Sequence, residues 1–229
     1  MMIEWIRLTS DEIESLDRKL PIIIPLGLIE AHGHHLNLGL DNETADYFSR
    51  RIAEETGAIL APTIYYGFAD AMREYPGTIG VSADTLCQVI RDIAGMFCQQ
   101  GFKKQIYLSG HGANKLACEL AFYKVWECFP DLKPAYWNYW SEAGFTKIHH
   151  ADKGETEIAM GIGATVHMDK ARDYSFEKPW HLINSRYQYQ PESGGVNGYP
   201  TTADPVEGKR MCEEIVVRLS EKVREAIKN

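Results

Sequence analysis

Pro21-Ile22-Ile23-Ile24-Pro25-Leu26-Gly27 is an unbroken apolar run, rich in β-branched residues and stopped by glycine. A run with no polar face reads as a strand buried on both sides of a sheet. Working outward, residues 58–66 read the same way up to Gly67, with Pro62 breaking the run or setting it near an edge. Residues 105–109, closed by Gly110, form a third predicted strand, and residues 135–140 a fourth. Helical spacing lies between them: Ala45, Phe48 and Ile52; then Leu86, Ile90, Ile93 and Phe97, with Ser82 or Asp84 as N-cap; then Leu116, Leu120 and Tyr123. Glu155 and Thr156 open a helix-like run over 157–166, and Ile215, Leu219, Val223 and Ile227 step by four through a charged background. Strand–helix alternation predicts an α/β domain with a mainly parallel sheet, in which function collects at the carboxyl ends of the strands.

The chain has 229 residues, 45% hydrophobic and 24% charged, which suits one globular domain over 1–229 and excludes a disordered chain. Lys and Arg total 24 against 32 Asp and Glu, with no basic run, so a nucleic-acid partner is not expected. No stretch reaches the 18 or so apolar residues of a membrane span. An acidic segment, not a basic one, precedes the first apolar run, so no secretory signal is read and a cytoplasmic protein is expected. The five cysteines include no C-x-x-C pair, and buried reduced thiols are expected.

Six of the eight histidines fall at or beyond the predicted strand ends; His167 and His181 are the exceptions. Glu30, His32 and Asp41 form a mixed N/O donor set that suits zinc, manganese or iron. In an extended segment, Glu30 and His32 project to one side. The same residues also read as a surface ion pair with Asp41 as a helix cap. His111 sits between glycines in Ser109-Gly110-His111-Gly112-Ala113-Asn114, and Asn114 is a candidate cap for the helix that follows. Glu155 adds a carboxylate beyond the fourth strand, while Glu157 is read as an acid favoured by the helix dipole. These make five candidate ligands, about the number a dinuclear site needs.

Four ordered motifs over residues 22–157 carry a family resemblance. Pro25-Leu26-Gly27-Leu28-Ile29-Glu30-Ala31-His32-Gly33-His34-His35-Leu36, with Asp41, resembles the E-x-H-G-x-H-L…D signature of the creatininase (creatinine amidohydrolase) family. Tyr66-Gly67 and Tyr75-Pro76-Gly77-Thr78-Ile79 resemble its Y-G…F-P-G-T-I segment. Gly110-His111-Gly112-Ala113-Asn114 is similar to its G-H-G-x-N, and His150-Ala151 with Glu155-Thr156 to its H-A-x-x-x-E-T.

The resemblance implies a three-layer α/β/α sandwich, assembled as a homohexamer, with two divalent ions (Zn, Mn or Fe) per subunit. Asp41 would bridge the ions, Glu30 and His111 completing one and His32 with a further carboxylate the other. The family's usual last ligand falls at Ala113, which cannot bind metal, so Glu155 is the candidate replacement. His150 matches the family's proton-transferring histidine. The implied reaction is attack of a metal-activated water on a carbonyl of a small molecule.

The polar groups that recognise substrate in relatives are replaced by Ala69, Ala71 and Met72, which argues against creatinine itself. His35 is read as a support for a metal ligand, a substrate contact or a plain structural hydrogen bond, and Trp137 and Trp140 as a wall over the substrate or as core. Residues 192–198 read as a flexible loop able to close a pocket or reach a neighbouring subunit. The leading reading is hydrolysis of a cyclic amide or formamide-type C–N bond. The alternatives are C–C hydrolysis of a cyclic diketone such as 3-dehydro-scyllo-inosose, and a metal-free scaffold or binding subunit.

Overall fold

In the computed structural model the described residues are 2–69, 72–175 and 190–228. Five parallel strands form one sheet: β1 (Ile3–Glu4), β2 (Ile22–Leu26), β3 (Ile59–Leu60), β4 (Lys104–Ser109) and β5 (Lys133–Asn138), in the order β1-β3-β2-β4-β5. Among the described residues seven α-helices accompany them: α1 (Ser10–Ser15), α2 (Leu40–Thr56), α3 (Ala83–Gln99), α4 (Asn114–Trp126), α5 (Tyr139–Glu142), α6 (Lys153–Ile162) and α7 (Pro205–Lys228).

The two-residue period of β2 sorts its side chains into two cores. Ile22, Ile24 and Leu26 join Leu86, Ile90 and Phe97 of α3 and Ala117, Ala121 and Phe122 of α4 on one face. Ile23 joins Phe48 and Ile52 of α2 and Ile215, Leu219 and Val223 of α7 on the other. The fold is therefore the expected three-layer α/β/α sandwich with a parallel central sheet. Chain order reverses at β2, which lies between β3 and β4, and a crevice opens beyond the carboxyl ends of strands at such a switch point.

Several expected boundaries shift. β3 is only two residues long, because Pro62 cannot donate to the ladder; pairing resumes as a single bridge between Leu26 and Ile64. β5 covers Lys133–Asn138, and the chain turns into α5 at Tyr139, so Tyr139 and Trp140 are helical. Asp152 caps α6 by accepting from Glu155 N, so that helix starts earlier than expected and ends at Gly163. Ser82, not Asp84, caps α3.

The expected face of α4 is also wrong: Leu116, Leu120 and Tyr123 are exposed, and Ala117, Cys118, Ala121, Phe122 and Val125 pack inward. Four cysteines are buried as expected, while Cys128 is exposed. Residues 192–198 are not a free loop, since Ser193 and Val196 are buried and Gly194 O accepts from Gly33 N.

Candidate metal centre

The loop after β2 carries Glu30 and His32, and it is pinned from three sides. Glu30 N donates to Leu38 O at 3.0 Å, Ile79 N to Ile29 O at 2.8 Å, and Ala31 N to Thr78 Oγ1 at 3.1 Å. Gly33, at φ +69°, takes the left-handed conformation that turns the chain back toward α2. Asp41 then falls in the first turn of α2, where the helix N-terminus favours a carboxylate. The residue before Leu40 is Gly39, so Asp41 is not the helix cap.

β4 delivers His111 next to this loop. Ser109 Oγ donates to His111 O and accepts from His111 N, and the Tyr136 hydroxyl donates to the same carbonyl at 2.8 Å. Gly110 passes so close to α2 that an added Cβ would lie 2.0 Å from Asp41 O. Asn114 stitches three segments rather than capping α4: it accepts from Phe68 N and donates to Gly27 O and Ser109 Oγ. Its amide is therefore spent on two backbone groups and the Ser109 hydroxyl, a role that spacing in sequence does not reveal.

These segments bring all five expected ligands together. His111 Nδ1 lies 3.0 Å from Glu30 Oε1 and 3.4 Å from Asp41 Oδ2. His32 Nε2 lies 3.2 Å from Asp41 Oδ1, 3.8 Å from Glu155 Oε2 and 3.9 Å from Glu30 Oε1. The two oxygens of Asp41 thus face different imidazoles. His150 Nδ1 lies 3.6 Å from Glu30 Oε1, and its ring stands 4.5 Å from that of His32. Ala151 holds a left-handed φ of +50° and donates its N–H to Glu155 Oε2.

The donor set fits divalent cations. Glu30, Asp41 and Glu155 are almost fully buried carboxylates, a costly arrangement unless positive charge lies among them. Neither oxygen of Glu30, nor His32 Nε2, nor Asp41 Oδ2 has a hydrogen-bond partner among the described residues. His32 Nδ1 lies 3.0 Å from Glu30 O, and a carbonyl can only accept, so a proton sits on Nδ1 and Nε2 is the ring atom that faces the carboxylates. Metal-ligating histidines are oriented this way.

The titration shifts point in the same direction. Burial works against a charged His32, but Asp41, Glu155 and Glu30 outweigh it and push the ring up to about 10. Burial raises Asp41, but His32 and His111 overcome it and hold the carboxyl well below its usual range. Glu155 is pushed up to about 8, chiefly by burial and further by Asp41. A metal ion offers what the proton on His32 offers: positive charge where three carboxylates converge.

A cavity of about 190 Å³ opens on this cluster, walled by Met72, Trp140 and Ile148, with His149 and His150 at its edge. Trp140 is therefore a wall residue, placed there by the turn into α5. Trp137 packs with the α2/α7 core instead, and Tyr139 stacks on Phe48. His35 is fully buried away from the cavity, with Nε2 2.9 Å from Thr156 Oγ1, so its expected substrate contact is replaced by a structural hydrogen bond. Burial and the nearby His32 and His34 bring it down to about 4. Glu157 lies outside the cluster and accepts from Asp204 N. Ala69 and Met72 are buried, His34 is exposed, and Ala71 and His181 lie outside the described residues.

A parallel α/β/α sheet with buried carboxylates and imidazoles at its switch point defines a metal-dependent hydrolase. The chain belongs to the creatininase family, whose model (creatinine amidohydrolase) matches residues 7–223. It is 28% identical over 208 residues to a mycofactocin precursor peptide peptidase of Mycobacterium ulcerans, covering 85% of this chain and 81% of that protein. Creatinine amidohydrolase of Pseudomonas putida is 26% identical over 231 residues, covering 89% and 88%. A shorter match, 31% over 109 residues, is to 3-dehydro-scyllo-inosose hydrolase of Thermotoga maritima, covering 47% and 35%. A solved creatininase of Zn-Zn type superposes with a TM-score of 0.88 at 20% identity, covering 100% of both chains.

Proposed function

We propose that this chain hydrolyses a formamide-type or cyclic-amide C–N bond of a small molecule with two divalent ions, zinc, manganese or iron, per subunit. The observation that carries the reading is the division of Asp41, with Oδ1 toward His32 and Oδ2 toward His111, as a bridging carboxylate requires. Glu30 and His111 would complete one ion, and His32 and Glu155 the other. Glu155 supplies the carboxylate that Ala113 lacks, and Ala113 instead lines the cavity. Bound divalent ions supply an acidified water and an electrophile that polarises a carbonyl.

The chain's own residues do the rest. His150 Nε2 lies 2.7 Å from Ala31 O, so that nitrogen carries the proton and Nδ1 turns toward Glu30. Burial and the neighbouring His32 lower the His150 pKa, which favours a neutral ring able to accept a proton at Nδ1 and return it to the leaving nitrogen. Met72, Trp140 and Ile148 exclude water and present an apolar wall to the remainder of the substrate. A cavity of about 190 Å³ suits a small substrate better than an extended peptide.

We also read the chain as a cytoplasmic homo-oligomer, a hexamer by family resemblance. The exposed apolar stripe Leu116, Leu120 and Tyr123 supports self-association. Among the described residues no helix is long and apolar enough to cross a membrane.

A second reading, C–C hydrolysis of a cyclic diketone, is favoured by the similarity to the Thermotoga maritima hydrolase. Elemental analysis of the purified protein, with turnover of formanilide, a panel of cyclic amides, 3-dehydro-scyllo-inosose and a short peptide, tests both. Two ions per chain and formanilide or cyclic-amide turnover are expected. Turnover of the diketone alone overturns the first reading, and a protein that binds no zinc, manganese or iron overturns both.

A further inference from the structure

Thr78 belongs to the segment Tyr75-Pro76-Gly77-Thr78-Ile79, which contributes no donor to the metal cluster. Its hydroxyl nevertheless accepts from Ala31 N at 3.1 Å. That N–H shares one peptide unit with the carbonyl of Glu30, and a peptide unit is planar and stiff. On its opposite edge the same unit accepts from His32 Nδ1 at 3.0 Å. A hydroxyl on one side therefore fixes the plane whose other side sets the tautomer and the direction of a buried imidazole.

We propose that Thr78 is a positioning residue for His32, acting through the Glu30–Ala31 peptide so that Nε2 faces the divalent ion shared with Asp41 and Glu155. The proposal rests on the metal-centre reading above and extends it to a residue outside the donor set.

The bond is not needed to dock the segment. Ile79 N already donates to Ile29 O at 2.8 Å, and Tyr75 is buried with its hydroxyl bonded to the Gln190 backbone. The Thr78 hydroxyl is thus free to act on one peptide alone. The next carbonyl along, Ala31 O, takes His150 Nε2. Two consecutive carbonyls therefore orient the two rings that stand 4.5 Å apart, and a tilt of the first peptide would turn His32 away from Asp41. Outer partners of this kind alter metal affinity by about 10- to 100-fold when removed.

Thr78→Val keeps the shape and removes the acceptor, whereas Thr78→Ser keeps the acceptor. The readouts are zinc affinity by chelator competition, the visible spectrum of the cobalt-loaded protein, and the melting temperature of the metal-free protein. In Thr78→Val, zinc affinity is expected to fall about 10- to 100-fold with an altered cobalt spectrum. Thr78→Ser is expected to restore both, with metal-free melting temperatures of all three within about 4 °C, since one hydrogen bond contributes about 1 kcal/mol. Unchanged affinity and spectrum in Thr78→Val overturn the proposal, as does an equal loss in Thr78→Ser. Should Thr78→Val fail to fold, Thr78→Ala carries the same comparison. Asp41→Asn separates the two levels: if it binds zinc like the wild type, the metal centre itself falls. If it loses zinc while Thr78→Val does not, only the role of Thr78 falls.

Discussion

Gly110→Ala tests whether the close approach of β4 to α2 holds the centre together. An added Cβ would sit 2.0 Å from Asp41 O and 2.7 Å from Asp41 C, about 1 Å inside the closest approach that real Cβ atoms make. Both neighbours are backbone, so no rotamer change relieves the clash. The first turn of α2 or the Gly110–His111 turn must move, and those two pieces carry Asp41 and His111. Forced overpacking costs about 1–3 kcal/mol, against a total stability of about 5–15 kcal/mol, so the variant should still fold. The same shift misplaces a reacting geometry by about 1 Å, enough for roughly a hundredfold loss in turnover.

Gly112→Ala is the matched control, since its nearest atom is Asn138 Nδ2 at 4.0 Å. Urea unfolding of the metal-free proteins and metal content after dialysis are the assays. Gly110→Ala should unfold at lower urea and retain less metal, while Gly112→Ala should match the wild type within about 0.5 kcal/mol. A Gly110→Ala variant with wild-type stability and full metal content would refute the argument that this glycine is required by close approach.

Removing metal with a chelator should lower the melting temperature on the order of 5–10 °C, because a ligand at a hundred times its dissociation constant contributes about 2.7 kcal/mol; scanning calorimetry with and without chelator checks it. Leu120→Ala should change monomer stability by less than about 0.5 kcal/mol, whereas Phe122→Ala should cost about 3–5 kcal/mol, since only Phe122 packs inward. Glu4 is held below its ordinary value of 4.5 by hydrogen bonds from Arg50 and, against burial, from Arg7. Its contribution is present above about pH 4.5 and is lost as pH falls through the lower folded value, so Glu4→Gln should cost stability at pH 7 and progressively less as the pH is lowered below about 4.5. A wild-type-minus-variant difference that stays constant over that pH range, followed by urea midpoints, contradicts the ion-pair assignment.

The central strands were legible because β2 and β4 are buried on both faces, which leaves a continuous apolar run in β2 and the apolar Ile106-Tyr107-Leu108 closed by Gly110 in β4. The edges were not. β1 is two residues long, and aromatic residues stand on both sides of Asn138, so the change from strand to helix at Tyr139 leaves little mark in hydropathy. α4 shows the deeper ambiguity. Leu116, Leu120 and Tyr123 make one apolar stripe, while Ala117, Cys118, Ala121 and Phe122 make another. The inward face is the one rich in small residues, which let α4 approach α3 and the sheet closely, and that preference exists only once the neighbours are in place.

The centre divides in the same way. Glu30, His32, Asp41, His111 and Glu155, which the structure brings together, could be nominated as candidate ligands from residue type and motif because a ligand must present its own side-chain atom. Thr78 and Asn114 act through backbone groups of segments 47 and 46 or more positions away, and any residue supplies a backbone N–H or carbonyl. His35 marks the limit from the other side: it carries a ligand's side chain three residues from His32, yet it is buried against Thr156. The turn at Gly33 and the single bridge between His32 and His34 direct the two rings apart. Residue type nominates ligands, and the path of the backbone between them selects which ones converge.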